Sequence, residues 1–130
     1  MKYKVSGVSE ERWQRLEVWQ LADEMAYRVY MATRNFPKEE LYGLTSQLRR
    51  AVLSVPTNIV EGYSRKGQKE LVQFLNISIG SMAEAKYLLH FAHRMEFLSN
   101  EKYGELKEGY DKLGKKLWKF YETVRTKASP

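Results

Sequence analysis

The sequence predicts an all-α protein, an antiparallel up-down-up-down four-helix bundle whose second helix is kinked at Pro56. Three observations predict it. Apolar residues recur three and four apart along almost the whole chain, which is helical spacing. Strand-like alternation is absent. Breaks near Phe36-Pro37, Gly62 to Gly67 and Glu96 to Ser99 leave four long segments, and short connections make neighbours antiparallel.

The first helix is predicted from Leu16 to Asn35. Trp19, Ala22, Ala26, Val29 and Thr33 mark one face, and Val18, Leu21, Met25 and Ala32 an adjacent one. That stripe is wider than a single core contact needs. Phe36 precedes Pro37 and is pushed out of the α region, so the helix ends there. Pro37 to Glu40 reads as a short helical turn with proline at its first position.

The second helix is predicted from Leu44 to Ser64, with Thr45 or Ser46 as cap. Leu44, Leu48, Ala51, Val52, Val55 and Ile59 form its stripe. Pro56 removes one backbone hydrogen bond, yet the stripe continues in phase across it.

The third helix spans Gln68 to Met95. Leu71, Phe74, Leu75, Ser78, Met82, Ala85, Leu88, Leu89 and Ala92 line one face, while Val72, Ile77, Ile79 and Phe91 lie off it. Between Leu71 and His93 the only charges are Glu84 and Lys86. A helix apolar on most sides is buried on most sides, which suggests burial against another chain. Gly80 and Ser81 would let a neighbour approach closely.

The fourth helix runs from Glu101 to Lys127, capped by Ser99 or Asn100. Tyr103, Leu106, Tyr110, Leu113, Leu117, Phe120, Tyr121 and Val124 are its stripe. Gly104, Gly109 and Gly114 each cost about 1 kcal/mol relative to alanine, and mark either close packing or a weaker helix.

The 130 residues suit one domain spanning 1–130, with 1–14 irregular and 128–130 frayed. No cysteine is present, which excludes disulfides and Cys-based metal sites and fits a reducing, cytoplasmic setting. No apolar run approaches the roughly eighteen residues of a membrane span, and the N-terminus lacks a signal-peptide core.

Catalytic chemistry finds little support. His90 and His93 lack the Glu-x-x-His pattern and acidic company of a metal-binding bundle. Gly62 to Gly67 spaces two glycines like a phosphate loop, but Gln68 and Lys69 follow instead of lysine and Ser/Thr. No nucleophile elbow exists. Glu61 and Glu84 read better as ion-pair partners of Arg49, Arg50 or Arg65 than as acid–base catalysts. The expectation is a non-enzyme without cofactor or metal.

The net charge is +6, and it is uneven. Residues 38–69 carry six basic against three acidic groups, and residues 101–130 carry eight against five, whereas residues 70–100 carry two against three. Such an excess points to an anionic partner. Arg49, Arg50, Arg65, Lys66 and Lys69 are the candidate nucleic-acid-binding residues, with Lys38 nearby in sequence. Arginine grips phosphate oxygens bidentately, and lysine acts as a point charge. Tyr42 and Tyr63 flank them and offer faces for stacking on bases.

Leu16-Glu17-Val18-Trp19, the run from Phe36 to Ala51, Ser54-Val55-Pro56-Thr57-Asn58-Ile59-Val60-Glu61-Gly62, Phe74-Leu75 and Gly80-Ser81-Met82-Ala83-Glu84 form an ordered pattern. Together they resemble the 23S rRNA intervening-sequence protein family of small bacterial four-helix bundles. The resemblance covers residues 16–98. It implies a homopentameric ring and a relation to the accessory variability determinant of diversity-generating retroelements, which binds a reverse transcriptase and nucleic acid. The expected function is thus an oligomeric, non-enzymatic accessory protein that binds RNA or DNA phosphates. The alternative is a protein-interaction scaffold, for example a partner of a reverse transcriptase, without direct nucleic-acid contact.

Overall fold

The structure, a computed structural model, describes residues 5–128. Among them are four helices and no strand: α1 (Glu17–Thr33), α2 (Leu44–Tyr63), α3 (Gln68–Arg94) and α4 (Asn100–Ala128). Two 3₁₀ turns, Arg12–Arg15 and Lys38–Glu40, precede α1 and α2. Of the stretches expected to be irregular, 1–14, and frayed, 128–130, residues 1–4 and 129–130 lie outside the described residues, whereas Arg12–Arg15 form a 3₁₀ turn and Ala128 is still helical. No described helix is long and apolar enough to cross a membrane.

Each helix packs mainly on two others: α1 and α3 both lie against α2 and α4, and the backbones of the diagonal pairs stay apart. The contacts between neighbours run in opposite directions. Gly62 faces Leu71 and Phe74, Val55 meets Ser78, and Ser54 meets Ser81 across α2 and α3. Met82 lies against Gly114 and Lys86 against Asp111 across α3 and α4. As one number rises the other falls, which is what antiparallel neighbours produce.

This four-cornered arrangement accounts for the width of the α1 stripe. Val18, Trp19, Ala22, Met25, Ala26, Val29 and Thr33 are all buried within the chain, because α1 must meet two partners. On α3, Leu71, Leu75, Ser78, Met82, Ala85, Leu88, Leu89 and Ala92 are buried, and Ile77 stays exposed. Leu106, Tyr110, Leu113, Leu117 and Val124 carry α4 into the same core. Trp13, in the first 3₁₀ turn, meets Trp19 edge-on at 4.8 Å, so the segment before α1 is anchored.

Pro37 precedes its 3₁₀ turn instead of opening it. The start of α2 also differs from expectation. Thr45 is buried with its hydroxyl unpartnered among the described residues, and caps nothing. The side chain of Glu40 reaches forward instead and accepts a hydrogen bond from the Leu44 N–H at 3.1 Å. At α4 the Ser99 hydroxyl accepts from the Lys102 N–H at 3.0 Å, which is an ordinary N-cap. Pro56 lies buried inside α2, and the helix continues through it.

The glycines of α4 have separate explanations. A Cβ on Gly109 would collide with the Sδ and Cε of buried Met25, so α1 and α4 approach closely there. Gly114 is in ordinary contact with Met82, and Gly104 faces open space.

Candidate nucleic-acid interface

Arg49 lies in the second turn of α2, facing the end of α1. Its Nε donates to the Thr33 hydroxyl at 2.9 Å, and that hydroxyl donates to the Tyr30 carbonyl at 2.9 Å. The guanidinium lies 4.9 Å from the centre of the Tyr30 ring. Two neighbours, Thr33 and Tyr30, therefore hold a half-buried arginine in one pose, and its Nη groups have no partner among the described residues. A guanidinium fixed in this way gives up little rotamer freedom on meeting an anion.

Arg50 is the next residue, turned about 100° around the helix, and it is exposed. The two arginines serve different depressions. Arg49 lines a groove of about 590 Å³ between α1 and α2 with Tyr27, Tyr30, Met31, Arg34 and Leu53. Arg50 lines a polar cleft of about 450 Å³ between α2 and α3 with Gln47, Ser54, Ser81 and Glu84.

Arg65, Lys66 and Lys69 lie at the opposite end of α2. From Arg50 to the end of that helix is about 20 Å at 1.5 Å per residue. The five predicted residues therefore form two basic ends instead of one cluster. At the far end, the Arg65 guanidinium sits 5.0 Å from the Phe74 ring centre, with Nη1 3.9 Å from a Glu70 carboxylate oxygen. Lys66 and Lys69 are exposed and have no ion pair among the described residues.

The two tyrosines also part company. Tyr63 already carries the Arg12 guanidinium at 5.1 Å from its ring, while Tyr42 is 94% exposed at the α1–α2 corner. Glu61 and Glu84 do not pair with these arginines. Both are exposed, and neither joins an ion pair among the described residues, although Glu84 lines the same cleft as Arg50. No three His, Asp or Glu side chains gather in metal-binding range among the described residues.

Sequence reasoning missed Arg34 and Tyr27. Tyr27, Met31 and Arg34 recur at i, i+4 and i+7 along α1 and its C-cap, outside the buried stripe, and that spacing was their signal.

The family model for the 23S rRNA-intervening sequence protein matches residues 14–119. The chain belongs to this family. The match takes in α1 to α3, the first twenty residues of α4 and every residue of both basic ends, beyond the 16–98 carried by the sequence pattern. A crystal structure of a protein with unknown function from the S23 ribosomal protein family, from Bacteroides thetaiotaomicron VPI-5482, has a similar fold. It gives a TM-score of 0.72 at 22% identity, covering 80% of this chain and 97% of that one. No curated protein matches this member of the intervening-sequence family.

Proposed function

We propose that this chain is a cytoplasmic, non-enzymatic accessory protein that binds the phosphate backbone of RNA or DNA and acts as a homo-oligomer, a five-fold ring. One observation carries the reading. Arg50, Lys66 and Lys69 stand exposed at the two ends of α2 with no acidic partner among the described residues, in a chain of net charge +6. A ring of five would carry about +30, a strong field for a polyanion. Exposed Ile77 and Tyr87 on α3 support self-association, since apolar side chains on an otherwise polar face gain from a second copy.

Fluorescence anisotropy of a labelled structured RNA, from low to physiological salt, tests it. Binding at micromolar protein with a steep salt slope is expected, weakened and flattened in an Arg50→Gln, Lys66→Gln, Lys69→Gln variant. Absence of binding at low salt sinks the proposal. A scaffold for a partner protein such as a reverse transcriptase is the second reading. It is favoured by Trp118, 55% exposed and stacked on Tyr121 at 5.4 Å. A stoichiometric protein partner insensitive to nuclease would then appear in its place.

A further inference from the structure

We infer that the groove between α1 and α2 holds a single unpaired nucleotide of a nucleic-acid strand, its base on Tyr27 and its phosphate between Arg34 and Arg49. This rests on the nucleic-acid reading above and adds to it a preference for unpaired over paired strands.

The groove is polar at both ends and aromatic between them. Arg34 and Arg49 stand at one end, where α1 finishes and α2 begins. Neither guanidinium has a carboxylate partner among the described residues. Arg49 is already oriented by Thr33 and Tyr30, so its free Nη donors have a fixed direction. Tyr27, Tyr30, Met31 and Leu53 form the walls, and Tyr27 is 62% exposed. A ring left open beside one fixed and one free guanidinium is the combination on which bases of single strands stack while their phosphates are neutralised. Asp23, about three turns back from Arg34, is an acceptor at the other end, and a base edge carries N–H donors.

Charge decides between occupants. An apolar helix from another protein would fill the walls and leave Arg34 and Arg49 desolvated without a partner, at a cost. A nucleotide satisfies the walls, the two cations and the carboxylate together. At about 590 Å³ the groove falls within the usual range of small-ligand sites. A base inside a duplex cannot present its face to Tyr27, so the site accepts only an unstacked one.

The experiment compares two fluorescein-labelled probes of equal length, one a single strand and one a closed hairpin stem, against wild type, Tyr27→Ala, Arg34→Gln and Arg50→Gln. Stacking is worth about 1–3 kcal/mol per base, so Tyr27→Ala is expected to weaken single-strand binding about tenfold. Its salt slope and its hairpin affinity stay unchanged. Arg34→Gln lowers the single-strand salt slope by about one. Arg50→Gln weakens both probes alike. Equal losses on both probes with Tyr27→Ala, or no loss, overturn the inference while the general nucleic-acid reading stands. A nucleoside monophosphate binding as tightly as the strand overturns the strand assignment. If Tyr27→Ala changes the molecular mass in solution and leaves both affinities intact, the groove belongs to a second copy of the chain. Failure of wild type to bind either probe removes both readings. Tyr27 and Arg34 are exposed, so the variants are expected to fold.

Discussion

The hydroxyl of Ser78 on α3 donates a 2.8 Å hydrogen bond to the carbonyl of Val55 on α2, the residue immediately before Pro56. Ser78 is completely buried. One turn away the hydroxyls of Ser54 and Ser81 meet at 2.8 Å, and Asn58 Nδ2 donates to the carbonyl and hydroxyl of Ser54. A short polar ladder thus fixes the register of α2 on α3 beside the proline. Ser78→Ala is expected to lower the unfolding free energy by about 1 kcal/mol, the usual net worth of one hydrogen bond. Urea denaturation with an unchanged m-value would measure it, and a loss near zero would show that the bond is not formed.

Tyr110 is fully buried and its hydroxyl has no partner among the described residues, so burial pushes its pKa well above the ordinary value. A raised folded-state pKa contributes stability that is present below the unfolded value, about 10, and lost as pH rises beyond it. Tyr110→Phe removes the unpaired group and keeps the shape. Stability at pH 7 is expected to stay equal or rise by about 1 kcal/mol. The decline measured between pH 9 and 11 should shrink in the variant. An unchanged alkaline limb would refute the assignment.

Gly104 and Gly109 lie five residues apart on one helix and should respond oppositely. Alanine at Gly104 meets nothing within 4 Å and is expected to stabilise by about 0.5–1 kcal/mol. Alanine at Gly109 gains the same propensity but drives its methyl into Met25, whose Cε lies 2.6 Å from that position. Overpacking costs about 1–3 kcal/mol, so Gly109→Ala should destabilise. Thermal melts of the two variants decide the matter, and equal shifts would contradict it.

Glu96 closes α3 in the left-handed region, at φ 64°. Its N–H bonds to the His93 carbonyl and that of Phe97 to the Ala92 carbonyl, both at 2.9 Å, which is a Schellman closure. A side chain there costs about 1–2 kcal/mol, and glycine loses part of that gain to the unfolded chain. Glu96→Gly is expected to raise the melting temperature by a few degrees. A lower melting temperature would show that the carboxylate has a compensating contact.

Asp111 receives Lys86 from α3 at 2.8 Å and Lys107 from its own helix at 3.0 Å. The hydrogen bonds from Lys86 and then Lys107 hold its carboxyl below the usual range. Its contribution is therefore present above the unfolded value, about 3.9, and lost as pH falls through the lower folded value. The groups are around 40% exposed, so screening keeps the effect below about 1 kcal/mol. Asp111→Asn should reduce stability at pH 6 and not at pH 2, a difference readable in paired urea titrations.

The helices were legible because the core contacts repeat at helical spacing. Leu71, Leu75, Ser78, Met82 and Ala85 can be read from the chain as they stand buried in α3. What escaped were features set by reach. Glu40 caps α2 from outside the helix, so no residue at the cap position announces it. The basic residues from Arg49 to Lys69 are neighbours by number, and only the length of α2 separates them. The α1–α2 groove draws Tyr27 and Arg34 from one helix and Arg49 and Leu53 from the other. No local pattern contains both halves. The excess width of the α1 stripe was visible, but its cause, two neighbours in the same chain, needed the packing.

The separation of the basic ends sets a minimum footprint. In a duplex each strand advances about 3.4 Å along the helix axis per phosphate, so about six base-pair steps span the ~20 Å between Arg50 and the end of α2. A duplex shorter than that reaches one end only, and releases the counterions of one end only. Affinity for duplex probes should therefore rise with length in a step near about six to seven base pairs instead of smoothly, and the salt slope should steepen at the same length.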